Sequence, residues 1–190
     1  MNANVMKIPA YIGAFGPILL FLLVFVTIFL RGLDNLSVIL LLAWTLISMV
    51  LNSMLKMIFN QARPKNSIHL NNVEKYFDNG TSGMPSGHAQ FVGTQLAMSV
   101  CLGLPLWIIV YAVFQSGISL WQRYAYKKHT IEQLFAGFCI GIVYSSVICS
   151  VLKPHILKNR TSIRYRDQLQ DDSLITAPEY SSQSAKVKNT

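Results

Sequence analysis

Five apolar runs, each about long enough to cross a bilayer, constrain the fold of this chain more than any other feature of its sequence. They lie at about residues 9–30, 36–59, 88–104, 106–124 and 130–152 of 190. A helical span needs about 20 apolar residues, and backbone groups in hydrocarbon must be paired within their own segment. The sequence therefore predicts an all-α fold, a polytopic membrane helical bundle of about five transmembrane helices.

The composition agrees with a membrane protein, because 52% of the residues are apolar and only 13% are charged. Soluble domains average about 25% charged residues. The net charge of +8 sits in short loops and near the C-terminus, which indicates membrane topology and anionic partners and not nucleic-acid binding. We predict a membrane domain over 1–152 and a polar tail over 153–190, which we expect to be disordered.

The three cysteines, Cys101, Cys139 and Cys149, lie within apolar runs. We interpret them as small core hydrophobes that do not report the redox compartment. Their spacings match no metal motif, and the histidines form neither HxxxH nor HExxH. The sequence therefore predicts no metal ligands.

Three polar segments, 56–64, 83–88 and 123–133, lie at the ends of the second to fifth apolar runs. Because successive spans run in opposite directions, all three segments are predicted to lie at one membrane face. They bring His88, His129, Arg63, Arg123 and Lys56 together there. We expect the active site at this face.

These residue types suit phosphoryl transfer, in which catalysis is mostly positioning and electrostatic stabilisation. Arg63 and Arg123 offer planar donors to phosphate, and Lys56 adds a point charge. Ser86 and Gly87 lie at a predicted helix start, whose backbone N–H groups bind anions. These five residues are the predicted phosphate-binding site.

His129 and His88 are the predicted catalytic pair, in which one attacks phosphorus and the other protonates the leaving oxygen. Gln133 lies four residues after His129, on the same helix face, and its amide oxygen can orient the imidazole. Glu132 is a competing orienter. A salt bridge from Glu132 to Lys128 is the more ordinary interpretation of that carboxylate.

Taken together, Lys-x6-Arg-Pro (56–64), Pro-Ser-Gly-His (85–88) and Arg-x5-His (123–129) resemble the signature motifs of the type 2 phosphatidic acid phosphatase superfamily. Its members are metal-independent membrane lipid phosphatases related to vanadium haloperoxidases. The resemblance covers about 36–152. It implies His129 as the nucleophile that forms a phosphohistidine, His88 as the general acid, and no cofactor.

Within the superfamily the chain is most similar to the dolichyldiphosphatase branch, through residues 83–91 and 129–133. It departs from the superfamily pattern at Gln122, where the motif usually has serine, and at Gln133, where most members have aspartate. A neutral amide stabilises an imidazolium less than a carboxylate does. The branch offers a precedent for glutamine at that position.

The resemblance implies hydrolysis of a polyprenyl diphosphate, dolichyl diphosphate to dolichyl phosphate and inorganic phosphate, for protein glycosylation in the endoplasmic reticulum. The expected partners are this lipid and the bilayer. A phosphatidate or undecaprenyl diphosphate phosphatase is an alternative, because the motifs contact phosphate and not the lipid chain. A catalytically degenerate membrane binding protein is another, supported by Gln122 and Gln133.

The membrane orientation follows from the positive-inside rule. Five basic residues between positions 153 and 166 follow the last span, which favours a cytoplasmic tail and a lumenal active site. The glycosylation patterns at Asn79 and Asn159 lie on opposite predicted sides. Modification of one or the other therefore tests the orientation.

Overall fold

The structure, a computed structural model, describes residues 7–31, 35–77, 80 and 82–154. These residues form six α-helices: α1 Lys7–Leu30, α2 Asn35–Phe59, α3 Asn72–Phe77, α4 Gly87–Cys101, α5 Leu106–Ala125 and α6 Ile131–Pro154. The five long helices coincide with the five predicted spans, and the predicted all-α bundle is confirmed. The short α3 lies in the loop between α2 and α4, where the sequence predicted no span. Of the predicted tail, residues 155–190 lie outside the described residues.

Helices α1, α2 and α6 are long and apolar enough to cross a membrane by length and composition. Helix α4 has 15 residues, about 22 Å at 1.5 Å per residue, which is shorter than a typical hydrocarbon core. Helices α4 and α5 carry buried polar side chains that lower their hydropathy, among them Gln90, Gln95, Gln115 and Gln122. Polar side chains at membrane depth face the bundle interior, as these do.

Helix α4 ends at Cys101, three residues before the predicted end of its span. Gly103 adopts a left-handed φ of 59°, and the Leu104 N–H donates to the Ser99 carbonyl at 3.0 Å. This is a Schellman C-cap, which glycine favours because it has no Cβ. Pro105 follows and starts the turn into α5.

The apolar core lies in the half of the bundle away from the predicted active face. It joins α1, α2, α4 and α5 through fully buried side chains: Leu20, Val24, Ile28, Leu41, Trp44, Met98, Leu104, Ile108 and Ala112. Buried aliphatic and aromatic side chains of this kind pack at crystal-like density. The other half, nearer the active face, is held by polar contacts.

Helix α6 packs closely on the start of α4 through two glycines. A Cβ on Gly137 would lie 2.5 Å from the Ser86 carbonyl oxygen, and one on Gly141 would overlap the Gln90 carbonyl oxygen. Small residues permit such close helix contacts in membrane proteins. The close packing at these two glycines sets the distance between the residues of α6 and Ser86.

The interpretation of all three cysteines as separate core hydrophobes was wrong. Cys101 and Cys149 form a disulfide, with Cα atoms 6.3 Å apart, because α4 and α6 end next to each other at the face opposite the predicted site. A Cα separation of this size is typical of disulfides. Cys139 is a free, half-buried thiol.

Candidate active site

Ser86 is the N-cap of α4, as the sequence predicted. Its hydroxyl oxygen accepts from the Ala89 N–H at 3.4 Å, and its own N–H donates to the Gln133 carbonyl at 3.0 Å. An N-cap serine satisfies one of the unpaired N–H groups of the first helical turn. The start of α4 is thereby joined to α6, next to Gly87 and the backbone donors predicted to bind phosphate.

Two of the predicted phosphate-binding cations converge on one carbonyl oxygen. Lys56 Nζ donates to Ser82 O at 3.2 Å, and Arg63 Nε lies 3.5 Å from the same atom. The Ser82 hydroxyl donates back to Lys56 O at 3.0 Å, and Ala62 pairs with Ser82 as an isolated antiparallel bridge. These contacts bring the first motif beside the loop that leads into the second motif.

His129 is 3% exposed and is held by Gln133. Its Nδ1 lies 3.2 Å from Gln133 Oε1, which also accepts from the Thr130 N–H at 3.2 Å. Because an amide oxygen only accepts, Nδ1 carries the hydrogen and Nε2 carries the lone pair. The imidazole therefore presents a nucleophilic nitrogen away from Gln133.

The other end of the Gln133 amide fixes this arrangement. Its Nε2 donates to Gln61 Oε1 and to Ala62 O, each at 3.0 Å. Gln133 therefore links His129, the predicted nucleophile, to the segment that carries Arg63. Glu132, the competing orienter, is exposed and accepts only a long 3.5 Å contact from the Thr130 hydroxyl.

Burial, and after it the positive charges of Arg123, Arg63 and Lys56, together lower the pKa of His129 to about 3, against the raising effect of the Gln133 hydrogen bond. Both effects disfavour the charged imidazolium. The imidazole is therefore neutral at neutral pH, the state in which it is a nucleophile. The same charges show that the structure brings three predicted cations within electrostatic reach of His129.

His88 projects from the first turn of α4 toward α1. Its Nε2 lies 3.1 Å from the Ala14 carbonyl oxygen, an acceptor that requires a hydrogen on Nε2. The other nitrogen, Nδ1, is not engaged by this contact. The sequence did not predict that α1 contributes to the site.

Arg123 is buried, 1% exposed, and its Nη1 forms an ion pair with Glu74 Oε1 at 3.2 Å. Lys128, predicted to pair with Glu132, is buried and pairs with Glu74 Oε2 at 3.5 Å. That prediction was wrong because α3 brings a carboxylate from the loop to this point. Lys128 Nζ also lies 2.6 Å from His69 Nδ1.

Sequence reasoning missed Glu74, and the available signal was weak. It is one of two acidic residues between the second and third spans, within a loop that carries several basic residues. A charge in a polar loop is usually solvated, whereas this one is 5% exposed.

A cavity of about 440 Å³ opens beside the site, between α1, α2 and α4. Its polar end is lined by Asn52, Glu74, Gly87 and His88. The rest of its lining is Ser48, Ser53 and Gln90 together with apolar residues: Ala14, Phe15, Pro17, Ile18, Met49 and Phe91. Among the described residues, no group of three or more His, Cys, Asp or Glu side chains is placed to hold a metal ion.

One end of this membrane helical bundle thus carries a neutral buried imidazole, a second imidazole, three cations and a helix N-terminus. Such an arrangement suits a membrane protein that binds a phosphate group. The chain belongs to the PAP2 superfamily, whose family model matches residues 37–156.

Two known proteins show this relationship in more detail. The chain is 32% identical, over an alignment of 117 residues, to "Lipid phosphate phosphatase epsilon 2, chloroplastic" of Arabidopsis thaliana. The match covers 55% of this chain and 37% of that relative. Its fold is similar to that of a transmembrane PAP2 type phosphatidylglycerolphosphate phosphatase from Bacillus subtilis. That similarity has a TM-score of 0.60 at 16% identity and covers 80% of this chain and 76% of the other.

Proposed function

We propose that this protein is an integral membrane phosphatase that hydrolyses a polyprenyl diphosphate through a phosphohistidine intermediate. The observation that carries the proposal is His129, a buried neutral imidazole held by Gln133 and surrounded by Lys56, Arg63 and Arg123. A transferring phosphoryl group spreads negative charge over its outer oxygens. Cations already in place stabilise that charge without reorganisation.

The reaction has two steps. His129 Nε2 attacks the terminal phosphorus, and the bond to the bridging oxygen breaks. His88 begins this step with a hydrogen on each ring nitrogen and gives the one on Nδ1 to the leaving lipid phosphate. Water then attacks the phosphohistidine, and His88 takes its proton. Inorganic phosphate leaves, and both histidines return to their starting states.

The cavity supports a lipid substrate. It begins at His88 and Gly87, where the leaving group would lie, and continues between apolar side chains of α1 and α4. A hydrocarbon chain placed there would bury apolar surface, while its phosphate end reaches the cations.

The branch assignment rests on the resemblance to dolichyldiphosphatases in residues 83–91 and 129–133. A lipid phosphate monoester is the second candidate substrate, because the two relatives are named as a lipid phosphate phosphatase and a phosphatidylglycerolphosphate phosphatase. The alternative of a catalytically degenerate binding protein has less support, because both unusual glutamines have defined partners in the site. Gln122 contacts Glu74, and Gln133 contacts His129.

For the location we propose the endoplasmic reticulum, from the same resemblance, with a lumenal site and a cytoplasmic tail by the positive-inside rule. The Cys101–Cys149 disulfide favours an oxidising compartment at the opposite end of the bundle, and therefore the reverse orientation. Glycosylation of Asn79 would support our orientation, and glycosylation of Asn159 would overturn it. Both asparagines lie outside the described residues.

The test of function is phosphate release by the detergent-purified protein with EDTA present. Dolichyl diphosphate, undecaprenyl diphosphate and phosphatidate are offered side by side, with His129→Ala as the control. EDTA-resistant release that the variant loses supports the mechanism, and the preferred lipid identifies the substrate class. Release that EDTA abolishes would overturn the metal-independent mechanism, and no release from any of the three lipids would favour a binding protein.

A further inference from the structure

The carboxylate of Glu74 is buried and accepts from four donors of the described residues. Its Oε1 accepts from Gln122 Nε2 at 3.1 Å and from Arg123 Nη1 at 3.2 Å. Its Oε2 accepts from the Leu70 N–H at 2.6 Å and lies 3.5 Å from Lys128 Nζ. A buried carboxylate is stable only when its oxygens are paired in this way.

Glu74 is itself held in place by its own loop. Its N–H donates to Asn71 Oδ1 at 2.8 Å, so Asn71 caps α3. The Ile68 N–H donates to Tyr126 O at 2.9 Å, which ties the loop to the end of α5. The carboxylate therefore reaches α5 from a fixed position.

The carboxylate of Glu74 faces two buried cations, Arg123 and Lys128. Removing its charge would take a buried partner from both of them, which is costly in an environment with little water.

The guanidinium of Arg123 carries five N–H donors in one rigid plane. The ion pair with Glu74 anchors that plane on one side. Arg123 lies close enough to His129 to act on its charge state, so the anchored group is next to the nucleophile. An anchored plane presents its donors to phosphate in one orientation, whereas a free arginine side chain samples many.

We propose that Glu74 is a positioning residue, which acts on the phosphate through Arg123. The proposal rests on the proposed function, because it assigns a role within that reaction. It also accounts for Gln122, which stands where the superfamily motif usually has serine. The Gln122 side chain is longer than that of serine, and its amide reaches Oε1 of Glu74. The departure from the superfamily motif at position 122 therefore serves to hold the carboxylate of Glu74.

The competing explanation is an ion pair that only holds α3 in the fold. Glu74→Gln separates the two, because it keeps the shape and removes the charge. We expect kcat/KM to fall about 10²-fold, the effect of misplacing a reacting group by about 1 Å, with a higher KM. The matched control is Glu132→Gln, which makes the same change at an exposed carboxylate near His129 and should stay within about twofold of the unsubstituted protein.

A double-mutant cycle gives a result that a purely structural role would not produce. If Glu74 acts through Arg123, Glu74→Gln costs little more once Arg123→Gln is present. If the loss of kcat/KM in the double variant equals the product of the two single losses, the proposal is overturned. Gln122→Ser removes a single bond to Glu74 and provides a milder variant that is expected to fold, with a smaller loss of kcat/KM in the same direction.

Binding of inorganic phosphate tests Glu74 independently of turnover, through the phosphate-dependent rise in melting temperature. We expect this rise in the unsubstituted protein and in Glu132→Gln, and a clearly smaller rise in Glu74→Gln and Gln122→Ser. Equal rises in all four proteins would overturn the role of Glu74. If phosphate binds but no lipid is hydrolysed, the proposed function fails while the positioning role stands; no rise in the unsubstituted protein would overturn both.

Discussion

Replacing Gln133 by glutamate substitutes a carboxylate for the amide that holds His129. The new carboxylate takes the place of an amide whose oxygen lies 3.2 Å from His129 Nδ1. It also replaces the amide nitrogen that donates to Gln61 Oε1 and Ala62 O. The substitution therefore adds a charge next to the imidazole and removes two hydrogen bonds behind it.

The added charge has a calculable effect. A carboxylate here lies about 4 Å from the centre of the imidazolium charge, which is worth about 4 kcal/mol at an effective dielectric constant of about 20. At about 1.4 kcal/mol for each pKa unit, this raises the pKa of His129 from about 3 to about 6. The two lost hydrogen bonds each cost about 1–3 kcal/mol of stability, so we also expect a lower melting temperature.

The assay is the pH dependence of kcat/KM, which reports the ionisation of the free enzyme. A raised pKa means that His129 is protonated, and no longer nucleophilic, over a wider acidic range. The acid limb should therefore move from about pH 3 to about pH 6 in Gln133→Glu. Ile131→Glu, at a 65% exposed position, adds the same charge in a screened place and should leave the limb unmoved. An unchanged acid limb in Gln133→Glu would refute the assignment of Gln133 as the partner of a titrating His129.

Three further predictions concern other parts of the structure. Gly141→Ala places a Cβ against the Gln90 carbonyl and should lower the free energy of unfolding by about 1–3 kcal/mol. The control is Gly117→Ala, whose Cβ meets nothing within 4 Å and which should not lower it. His88→Ala should slow lipid hydrolysis about 10²–10⁴-fold and p-nitrophenyl phosphate hydrolysis much less, because that leaving group needs little protonation. Cys101→Ser removes the disulfide, which joins residues 48 positions apart, and should lower the free energy of unfolding by about 2–4 kcal/mol. The value of kcat should be retained, because the disulfide lies at the end of the bundle away from the site.

Each of these predictions has a contrary outcome. Equal melting temperatures for the two glycine variants would mean that α4 and α6 do not pack as described. An equal loss on both substrates for His88→Ala would remove its role as the proton donor. Unchanged mobility of Cys101→Ser on a non-reducing gel, relative to the unsubstituted protein, would mean that no disulfide forms.

The sequence was sufficient for features that depend on neighbouring residues. Apolar runs of bilayer length locate the five long helices, and the Pro-Ser-Gly pattern locates the start of α4 at Gly87. The alternation of spans places Lys56, Arg63, Arg123 and His129 at one face. The spacing of Gln133 on the helix predicts its contact with the imidazole, which the structure contains.

The sequence was insufficient where distant segments meet. Nothing local to Glu74 indicates that α3 will carry it to Arg123, since that contact joins residues 49 positions apart. The pairing of Cys101 with Cys149 depends on the relative ends of α4 and α6, which hydropathy alone does not determine. The contact between His88 and the Ala14 carbonyl spans 74 positions and has no sequence signature on either side.

Helix α1 lies outside the region that the family model matches, 37–156, although it supplies the acceptor for His88 and one wall of the cavity. The cavity wall is therefore shared between the matched region, through α2 and α4, and a helix that lies outside it. Substitutions at Phe15 or Ile18 reshape the cavity without touching His129, Arg123 or Lys56. The shape of this cavity can thus be changed through α1 alone, without altering the residues predicted to bind phosphate.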